Sequence, residues 1–496
     1  MESTCPRFCP RPGDSNQLQE TVMSDTPIWQ MTAVEIAAAV RSGQLSAVEV
    51  TEAILARIET IDTHLNAFCI SMADSARATA ASIDQRISLG EDPGPLAGVP
   101  ISIKDNLYIE GERTTFGSKW FEHNVTPEDT PLVARLRQAG AVLIGRTNSP
   151  EFGWKGATDN LVFGTTRNPW NTERTPGGSS GGASAAVSSG MGPVGIGTDG
   201  GGSIRIPAAF CGLFGIKASF GRVPNYPATT VDSLRHKGPL TRTVADAALV
   251  LDVIAGPDDR DSLSLPADSV SYSDVLDQGI SGCRIAYSPD LGFGEVDPEV
   301  ASLCAEAVER FAETGATVET VSLDWPDPYD CWNIYFYGGI AGSLGPRLAE
   351  EGDQLDPGLR ELVEEGVKLS GGEFARASLD RFAYWQRVVR LYDDYDLLVT
   401  PGTAVPPFPI GLDNADPMPG QPVRPLLWTP FTYPFNLTGQ PASVVPCGFT
   451  ADGLPVTLQL VGRRYDDAGV LRASRAFEQV APWADRWPEL ATAEPT

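Results

Sequence analysis

Short apolar runs alternate with amphipathic stretches along most of this chain. Two Ser/Thr-x-x-Glu capping boxes, each followed by apolar residues at helical period, predict two N-terminal helices. From about residue 98 to 270, short apolar runs alternate with helical stretches, which predicts an α/β fold whose sheet is covered on both faces by helices. The capping boxes are Thr32-x-x-Glu35 and Ser46-x-x-Glu49, and the first runs predicted as strands are Val99–Ile103, Ala141–Ile144 and Val194–Ile196.

The C-terminal half continues this pattern with one exception. Further strands are predicted at Arg284–Tyr287, Thr317–Val321, Leu397–Val399 and Ala442–Val445, and further helices at Pro298–Ala312 and Leu471–Phe477. Residues 325–395 are acidic, aromatic-rich and predicted helical, and we expect 325–430 to be a variable region on the substrate side. With no internal repeat or long linker, we expect one catalytic domain, 27–490, after a flexible N-terminal tail, 1–26.

Composition narrows the possible functions. The chain has 496 residues, 42% of them hydrophobic and 20% charged, as in ordinary globular proteins. A net charge of −27 disfavours binding to nucleic acid or to anionic membranes. No run of 18 apolar residues predicts a membrane span. The eight cysteines form no CxxC pair and lack metal-finger spacing, so we expect reduced, mostly structural thiols and a cytoplasmic location. Because the chain also lacks HExxH, we expect no metal, and we expect no other cofactor.

Residues 175–207 carry an unusual density of glycine and serine, for which two general motifs compete. Gly195–Gly200 matches GxGxxG, but a dinucleotide-binding turn opens into a helix, whereas here two more glycines and then Pro207 follow. Gly178–Gly182 matches GxSxG, the nucleophile elbow of α/β hydrolases. That elbow needs a strand directly before it and a histidine later in the chain. The preceding segment 168–176 contains two prolines, and only His236 follows.

A third interpretation accounts for more of the segment. Gly177–Gly182 and Gly197–Pro207, preceded by Lys104 in Pro100–Asn106, resemble the amidase signature family of serine hydrolases. Further motifs in the same order extend the resemblance along most of the chain: Thr147–Phe152, Asn168–Asn171, Gly238–Asp246 and Pro434–Pro441. The resemblance implies the amidase-signature fold, with a central mixed, mostly parallel β-sheet.

The resemblance also implies a Ser-Ser-Lys triad. Ser203 would be the nucleophile, Ser179 the proton relay and Lys104 the base, with Ser179 joined to Gly178 by a cis peptide bond. The backbone N–H groups of Gly200, Gly201, Gly202 and Ser203 would form the oxyanion hole. Three further residues are expected to support the site: Asp199, Arg205 and Ser180. Asp199 and Arg205 would either orient the loop or form a purely structural ion pair, and Ser180 would support the site through hydrogen bonds.

Elementary chemistry states what Lys104 must do. A serine hydroxyl is a weak nucleophile unless a base takes its proton, and only three histidines are present, so lysine is the available base. Lysine acts as a base only when neutral, which requires burial away from carboxylates. Lys104 ends an apolar run, and on a strand the adjacent Asp105 points to the opposite face. Lys217 is expected to be exposed or to serve packing, and His64, His123 and His236 to be structural or solvated.

The family resemblance and its triad predict an amide hydrolase. The aromatic residues within 325–395 favour a small, apolar or aryl amide as its substrate. A carbamate or ester hydrolase, such as a urethanase or esterase, would use the same triad. The glutaminase-type subunit of a tRNA-dependent amidotransferase also shares the motifs. We therefore expect a small-molecule amide, carbamate or ester as the partner, with a homodimer as one alternative for the assembly.

Overall fold

A computed structural model describes residues 26–229, 231, 233–415 and 426–492. The predicted flexible tail, residues 1–26, lies outside this range except for Thr26, as does part of the predicted variable region, 416–425. The strands are β1 (Phe68–Ser71), β2 (Pro100–Lys104), β3 (Val142–Thr147), β4 (Asp159–Asn160), β5 (Gly164–Thr165), β6 (Val194–Asp199), β7 (Phe214–Lys217), β8 (His236–Thr241), β9 (Arg284–Tyr287), β10 (Thr317–Thr320), β11 (Leu397–Pro401), β12 (Ala442–Phe449) and β13 (Pro455–Gly462).

The α-helices connect and cover these strands. They are α1 (Ala33–Ser42), α2 (Ala47–Leu65), α3 (Ala73–Ser88), α4 (Pro131–Gln138), α5 (Gly181–Ser188), α6 (Arg205–Phe210), α7 (Val244–Ile254), α8 (Tyr272–Val275), α9 (Pro298–Val308), α10 (Tyr329–Leu344), α11 (Leu348–Glu351), α12 (Pro357–Gly366), α13 (Gly371–Leu391), α14 (Tyr433–Thr438), α15 (Asp467–Val480) and α16 (Glu489–Thr492). Both predicted capping boxes are present, with Thr32 and Ser46 as N-caps of α1 and α2.

Eleven of the described strands form one mixed sheet in the order β1-β3-β2-β6-β8-β7-β12-β13-β11-β9-β10. Parallel pairing occurs in two blocks, β3-β2-β6 and β11-β9-β10, where a helix connects β2 to β3 and β9 to β10. The strands between these blocks pair antiparallel, and β12 and β13 form a hairpin. The predicted α/β class with a mixed sheet is confirmed.

Helices cover both faces of the sheet, as the apolar runs predicted. In β11, Leu397 and Val399 pack into the larger core with α7, α9 and α15, whereas Leu398 packs on the opposite face with α13 and α14. In β2, Ile101 and Ile103 likewise belong to the larger core. Because side chains alternate along a strand, Lys104 therefore lies on the opposite face.

The aromatic-rich segment forms a helical layer over that opposite face. The buried side chains of α10, including Trp332 and Phe336, pack in one cluster with residues of α12 and α14. The later aromatics belong elsewhere: on α13, Tyr384 packs in a separate core with Leu398, and Phe382 is exposed.

Candidate active site

Lys104 is the last residue of β2, between β3 and β6, and its side chain is fully buried. Its Nζ lies 2.6 Å from Ser179 Oγ, 3.0 Å from Ser180 Oγ and 3.2 Å from Thr198 Oγ1. Hydroxyl groups thus surround the amine. No carboxylate forms an ion pair with Lys104 among the described residues.

This environment favours the neutral amine. Burial lowers the pKa of Lys104 well below its ordinary value, the positive charge of Arg235 lowers this pKa further, and Asp199 partly opposes them. Asp105 lies on the other face, as the alternation predicted, where it pairs with Arg146 at 3.3 Å and accepts a hydrogen bond from the Thr115 hydroxyl. The nearest carboxylate in sequence is therefore occupied elsewhere.

Ser179 lies where the glycine-rich loop enters α5. The Gly178–Ser179 peptide bond is cis, as the family resemblance implied. Small residues allow this loop to approach β6 closely: a Cβ on Gly197 would lie 2.7 Å from Ser180 Oγ. The Ser180 N–H donates to the Ser203 carbonyl at 3.2 Å, which ties the two halves of the site together.

A buried ion pair fixes the loop that carries Ser203. The Arg205 guanidinium binds both carboxylate oxygens of Asp199 at 3.0 Å. Despite burial, which raises it, the charge and hydrogen bonds of Arg205 hold the pKa of Asp199 well below its ordinary value. Asp199 also accepts the backbone N–H groups of Gly202 at 2.7 Å and Ile204 at 3.3 Å. Asp199 and Arg205 thus order the backbone around Ser203.

These contacts alter the expected oxyanion hole. The Gly202 N–H is already engaged by Asp199, so it is not available to a substrate. Within the described chain, the N–H groups of Gly200, Gly201 and Ser203 have no protein acceptor, while the carbonyls of Gly200 and Gly201 accept from Trp332 Nε1 at 2.9 Å and Thr432 Oγ1 at 2.7 Å. Three of the four predicted donors remain.

A cavity of about 390 Å³ opens in front of these residues. Ser179, Ser203 and Gly200 line it, and α10 contributes Phe336 and Ile340. Lys104 does not line the cavity and contacts Ser179. A shared substrate requires that Ser203 and Ser179 line one cavity, as they do here.

Aromatic side chains from a second segment form much of the remaining wall, and sequence analysis missed them. Phe116, Phe121 and Phe152 line the cavity and form a mutual ring cluster with centroids 5.4–6.0 Å apart. Tyr108 extends this cluster. Phe116 and Phe121 follow Lys104 by 12 and 17 residues, and Phe152 is the last residue of the motif Thr147–Phe152. Their position after or within a motif was the available signal.

Lys217 and the three histidines differ from one another in burial. The exposed alternative for Lys217 is wrong: it is fully buried, contacts the Gln440 carbonyl, and lies 3.3 Å from His236 Nε2. Burial lowers the pKa of both Lys217 and His236 well below their ordinary values. His236 is buried, and His64 and His123 are exposed. In the described ranges no group of three His, Cys, Asp or Glu side chains is arranged to hold a metal ion.

Comparison with known proteins identifies the family. The family model Amidase matches residues 49–471. An acylamidase of Rhodococcus erythropolis is 40% identical over 471 residues, covering 94% of this chain and 98% of that protein. A glutamyl-tRNA(Gln) amidotransferase subunit from Roseiflexus sp. is 37% identical, covering 94% of this chain and 99% of that protein. The crystal structure of a bacterial aryl acylamidase superposes with a TM-score of 0.89 at 33% identity, covering 95% of this chain and all of that one. The chain belongs to the amidase signature family, enzymes that hydrolyse carbon–nitrogen bonds other than peptide bonds.

In the part of the chain that the structure describes, every helix is too short or too polar to cross a membrane.

Proposed function

We propose that this enzyme hydrolyses small apolar or aryl amides through an acyl-enzyme on Ser203. One observation carries the proposal: Lys104 is fully buried, has no carboxylate partner among the described residues, and lies 2.6 Å from Ser179 Oγ. A neutral amine in hydrogen-bond contact with a serine hydroxyl can accept a proton from it. Ser179 and Ser203 in turn line the same cavity.

In the first half-reaction the Ser203 oxygen attacks the amide carbonyl carbon. The Ser203 proton passes to the Ser179 oxygen as the Ser179 proton passes to Lys104 Nζ. The oxyanion accepts hydrogen bonds from the N–H groups of Gly200, Gly201 and Ser203, and each such donor contributes about 3–4 kcal/mol to transition-state stabilisation. The C–N bond then breaks as the proton returns through Ser179 to the leaving amine.

In the second half-reaction water replaces the amine. Lys104, neutral again, accepts a proton from water through Ser179. The oxygen of the resulting hydroxide adds to the carbonyl carbon of the acyl group. Collapse of this second tetrahedral intermediate breaks the C–O bond to Ser203 and returns the proton to its oxygen. The carboxylic acid leaves, and the enzyme is restored without a cofactor.

The cavity wall supports an apolar or aryl substrate. Phe116, Phe121, Phe152 and Phe336 line the cavity that Ser203 also lines. Aromatic rings favour offset or edge-to-face contacts with one another, so this lining suits an aryl group. The relatives named acylamidase and aryl acylamidase point to the same substrate class.

A substrate panel tests the proposal. Purified enzyme is assayed with acyl anilides, matched aliphatic amides, aryl carbamates and aryl esters, with release of amine or alcohol measured for each. We expect the largest kcat/KM among amides for the anilides. Cleavage of carbamates or esters with no amide cleavage would replace the proposal by the urethanase or esterase alternative.

The 37% identical amidotransferase relative makes glutaminase activity the second candidate. Its test is ammonia release from L-glutamine, with the chain alone and with amidotransferase partner subunits added. Strong partner-dependent glutaminase activity and no anilide cleavage would favour that function.

A further inference from the structure

Glu151 is a buried carboxylate that the proposed reaction does not use. Its side chain is 1% exposed. Oε1 accepts the Ser118 hydroxyl at 2.5 Å, and Oε2 accepts the Asp356 backbone N–H at 2.7 Å. These two donors belong to segments far from Glu151 and from each other in sequence.

Glu151 itself begins a 3₁₀ turn, Glu151–Gly153, that reaches the candidate active site. The next residue, Phe152, lines the cavity and donates its N–H to the Phe116 carbonyl at 2.8 Å. Gly153 also lines the cavity, and a Cβ on it would lie 2.9 Å from Ser179 Oγ. A displacement of this turn would therefore reach both the aromatic wall and the proposed proton relay.

The two donors to Glu151 connect it to two other segments near the cavity. Ser118 lies between the cavity residues Phe116 and Phe121. Asp356 is the N-cap of α12, which packs against α10 through Leu359 and Val363. Since α10 carries Phe336, Ile340 and Leu344 of the cavity, Glu151 connects three of the segments that line the apolar part of the pocket, the third one through α12.

We propose that Glu151 is a positioning residue that holds the aromatic pocket together, and that its protonation weakens substrate binding. This inference rests on the proposed aryl amide hydrolysis. The carboxylate accepts two hydrogen bonds, and such bonds to a charged acceptor are about twice as strong as neutral ones. In the neutral acid one oxygen carries a proton, so one of the two hydrogen bonds is lost or must reverse its direction. Reversal toward Ser118 would add a second donor to a hydroxyl that already accepts the Trp120 N–H at 3.2 Å.

The surroundings of Glu151 place the protonation of its carboxylate near neutral pH. Burial raises the pKa of Glu151 to about 7, the hydrogen bonds from Asp356 and Ser118 lower it, the Asp356 carboxylate raises it further, and Lys119 lowers it. Asp356 is itself paired with Lys155 at 3.4 Å, and Lys155 also pairs with Asp159 and Asp413. The carboxylate form therefore dominates above about pH 7 and the neutral acid below it.

The test compares KM and kcat for an acyl anilide between pH 6 and 8 in the wild type and in Glu151→Gln. Glutamine reproduces the hydrogen-bonding pattern of the neutral acid at every pH. We expect KM of the wild type to rise about tenfold as pH falls through 7. KM of Glu151→Gln should stay at the high, acidic value throughout, while the pH dependence of kcat remains that of the wild type.

Two further variants separate this role from a general loss of structure. Ser118→Ala removes one donor and should raise KM at pH 8 toward the acidic value, which keeps the proposal testable if Glu151→Gln does not fold. Glu110→Gln removes an exposed carboxylate from the same region and should retain the wild-type profile. A wild-type KM that is flat from pH 6 to 8, or a Glu151→Gln profile that still titrates, overturns the proposal.

Failure of the proposed function gives a different result, namely no anilide turnover at any pH in any of these proteins. Equilibrium dialysis with an uncleavable aryl ketone then supplies dissociation constants for the same comparison. Binding that weakens at low pH only when Glu151 is present supports the positioning role, and pH-independent binding rejects it.

Discussion

Lys104 Nζ and Ser179 Oγ lie 2.6 Å apart behind the wall of the cavity, although the two residues are 75 positions apart in the chain. Lys104 comes from the end of β2 and Ser179 from the loop before α5, so the contact exists only because α5 packs on the strand pair β2 and β6. The amine donates its hydrogen bonds to hydroxyl groups, and burial lowers its pKa well below the ordinary value of lysine.

Replacing Lys104 by methionine should remove the base and keep the buried volume. We expect kcat/KM to fall by roughly a hundred- to ten-thousandfold, the usual contribution of general base catalysis. In the wild type, kcat should rise with pH through the lowered pKa of Lys104 and then level off, because only the neutral amine accepts a proton. A pH–rate profile from 5 to 10.5 measures this. Activity that appears only near pH 10, where an exposed lysine titrates, would contradict it.

Gly153→Ala should impair catalysis through direct contact with Ser179. The new Cβ would lie 2.9 Å from Ser179 Oγ, and the backbone has φ +73°, which disfavours any side chain. Gly111→Ala is the matched control, since Gly111 has φ +75° and open space around its Cβ position. We expect kcat to fall at least tenfold in Gly153→Ala only. Equal losses in both variants would show that backbone conformation, not contact with Ser179, is responsible.

Arg205→Met should destabilise the fold because Asp199 would remain buried without its partner. Breaking a buried pair in this way costs about 3–5 kcal/mol. The pKa of Asp199 is depressed in the folded wild type, so the pair stabilises the protein above about pH 4 and this stabilisation is lost as pH falls.

Urea unfolding at pH 7 and at lower pH measures this effect. The difference between wild type and Arg205→Met should be largest at pH 7 and should shrink with acidification, as Asp199 of the variant becomes neutral. Arg310→Met, which breaks only the exposed pair with Glu313, should change stability little. A stability difference that grows at low pH would reject the explanation.

Phe121→Ala should alter selectivity more than catalysis. Phe121 lines the cavity and packs edge-on against Phe116 and Phe152, with centroids 5.4 and 5.9 Å away. We expect KM for acyl anilides to rise about tenfold, with a smaller change for short aliphatic amides. Phe382→Ala removes an exposed ring on α13 and serves as the control. An equal rise for both substrate types would argue against an aryl pocket.

The sequence predicted which segments form strands, but not which strands are neighbours in the sheet. Apolar runs located β2, β3 and β6, since a strand covered on both faces is apolar throughout. Their pairing depends on helices packing from distant parts of the chain. The first two of the three glycines in the GxGxxG match, Gly195 and Gly197, lie in β6. There they leave room for Ala183 and Ser180 rather than forming a turn that binds phosphate.

The sequence predicted those features of the site that a local pattern determines. It did not predict the features that depend on tertiary contacts. Strand alternation gave the opposite directions of Lys104 and Asp105. The engagement of the Gly202 N–H by Asp199 and the burial of Lys217 depend on long-range packing, which no local pattern carries. Phe116 and Phe121 likewise join the cavity only because their loop folds onto Phe152.

The central claim is that a neutral Lys104, acting through Ser179, activates Ser203. The most direct measurement is the rate of covalent modification by a fluorophosphonate at several pH values, with peptide mass spectrometry to locate the adduct, in wild type, Lys104→Met and Ser203→Ala. We predict an adduct on Ser203, a rate at pH 7 that falls at least a hundredfold in Lys104→Met, and no adduct in Ser203→Ala. An adduct on another serine, or an undiminished rate without Lys104, would contradict the account.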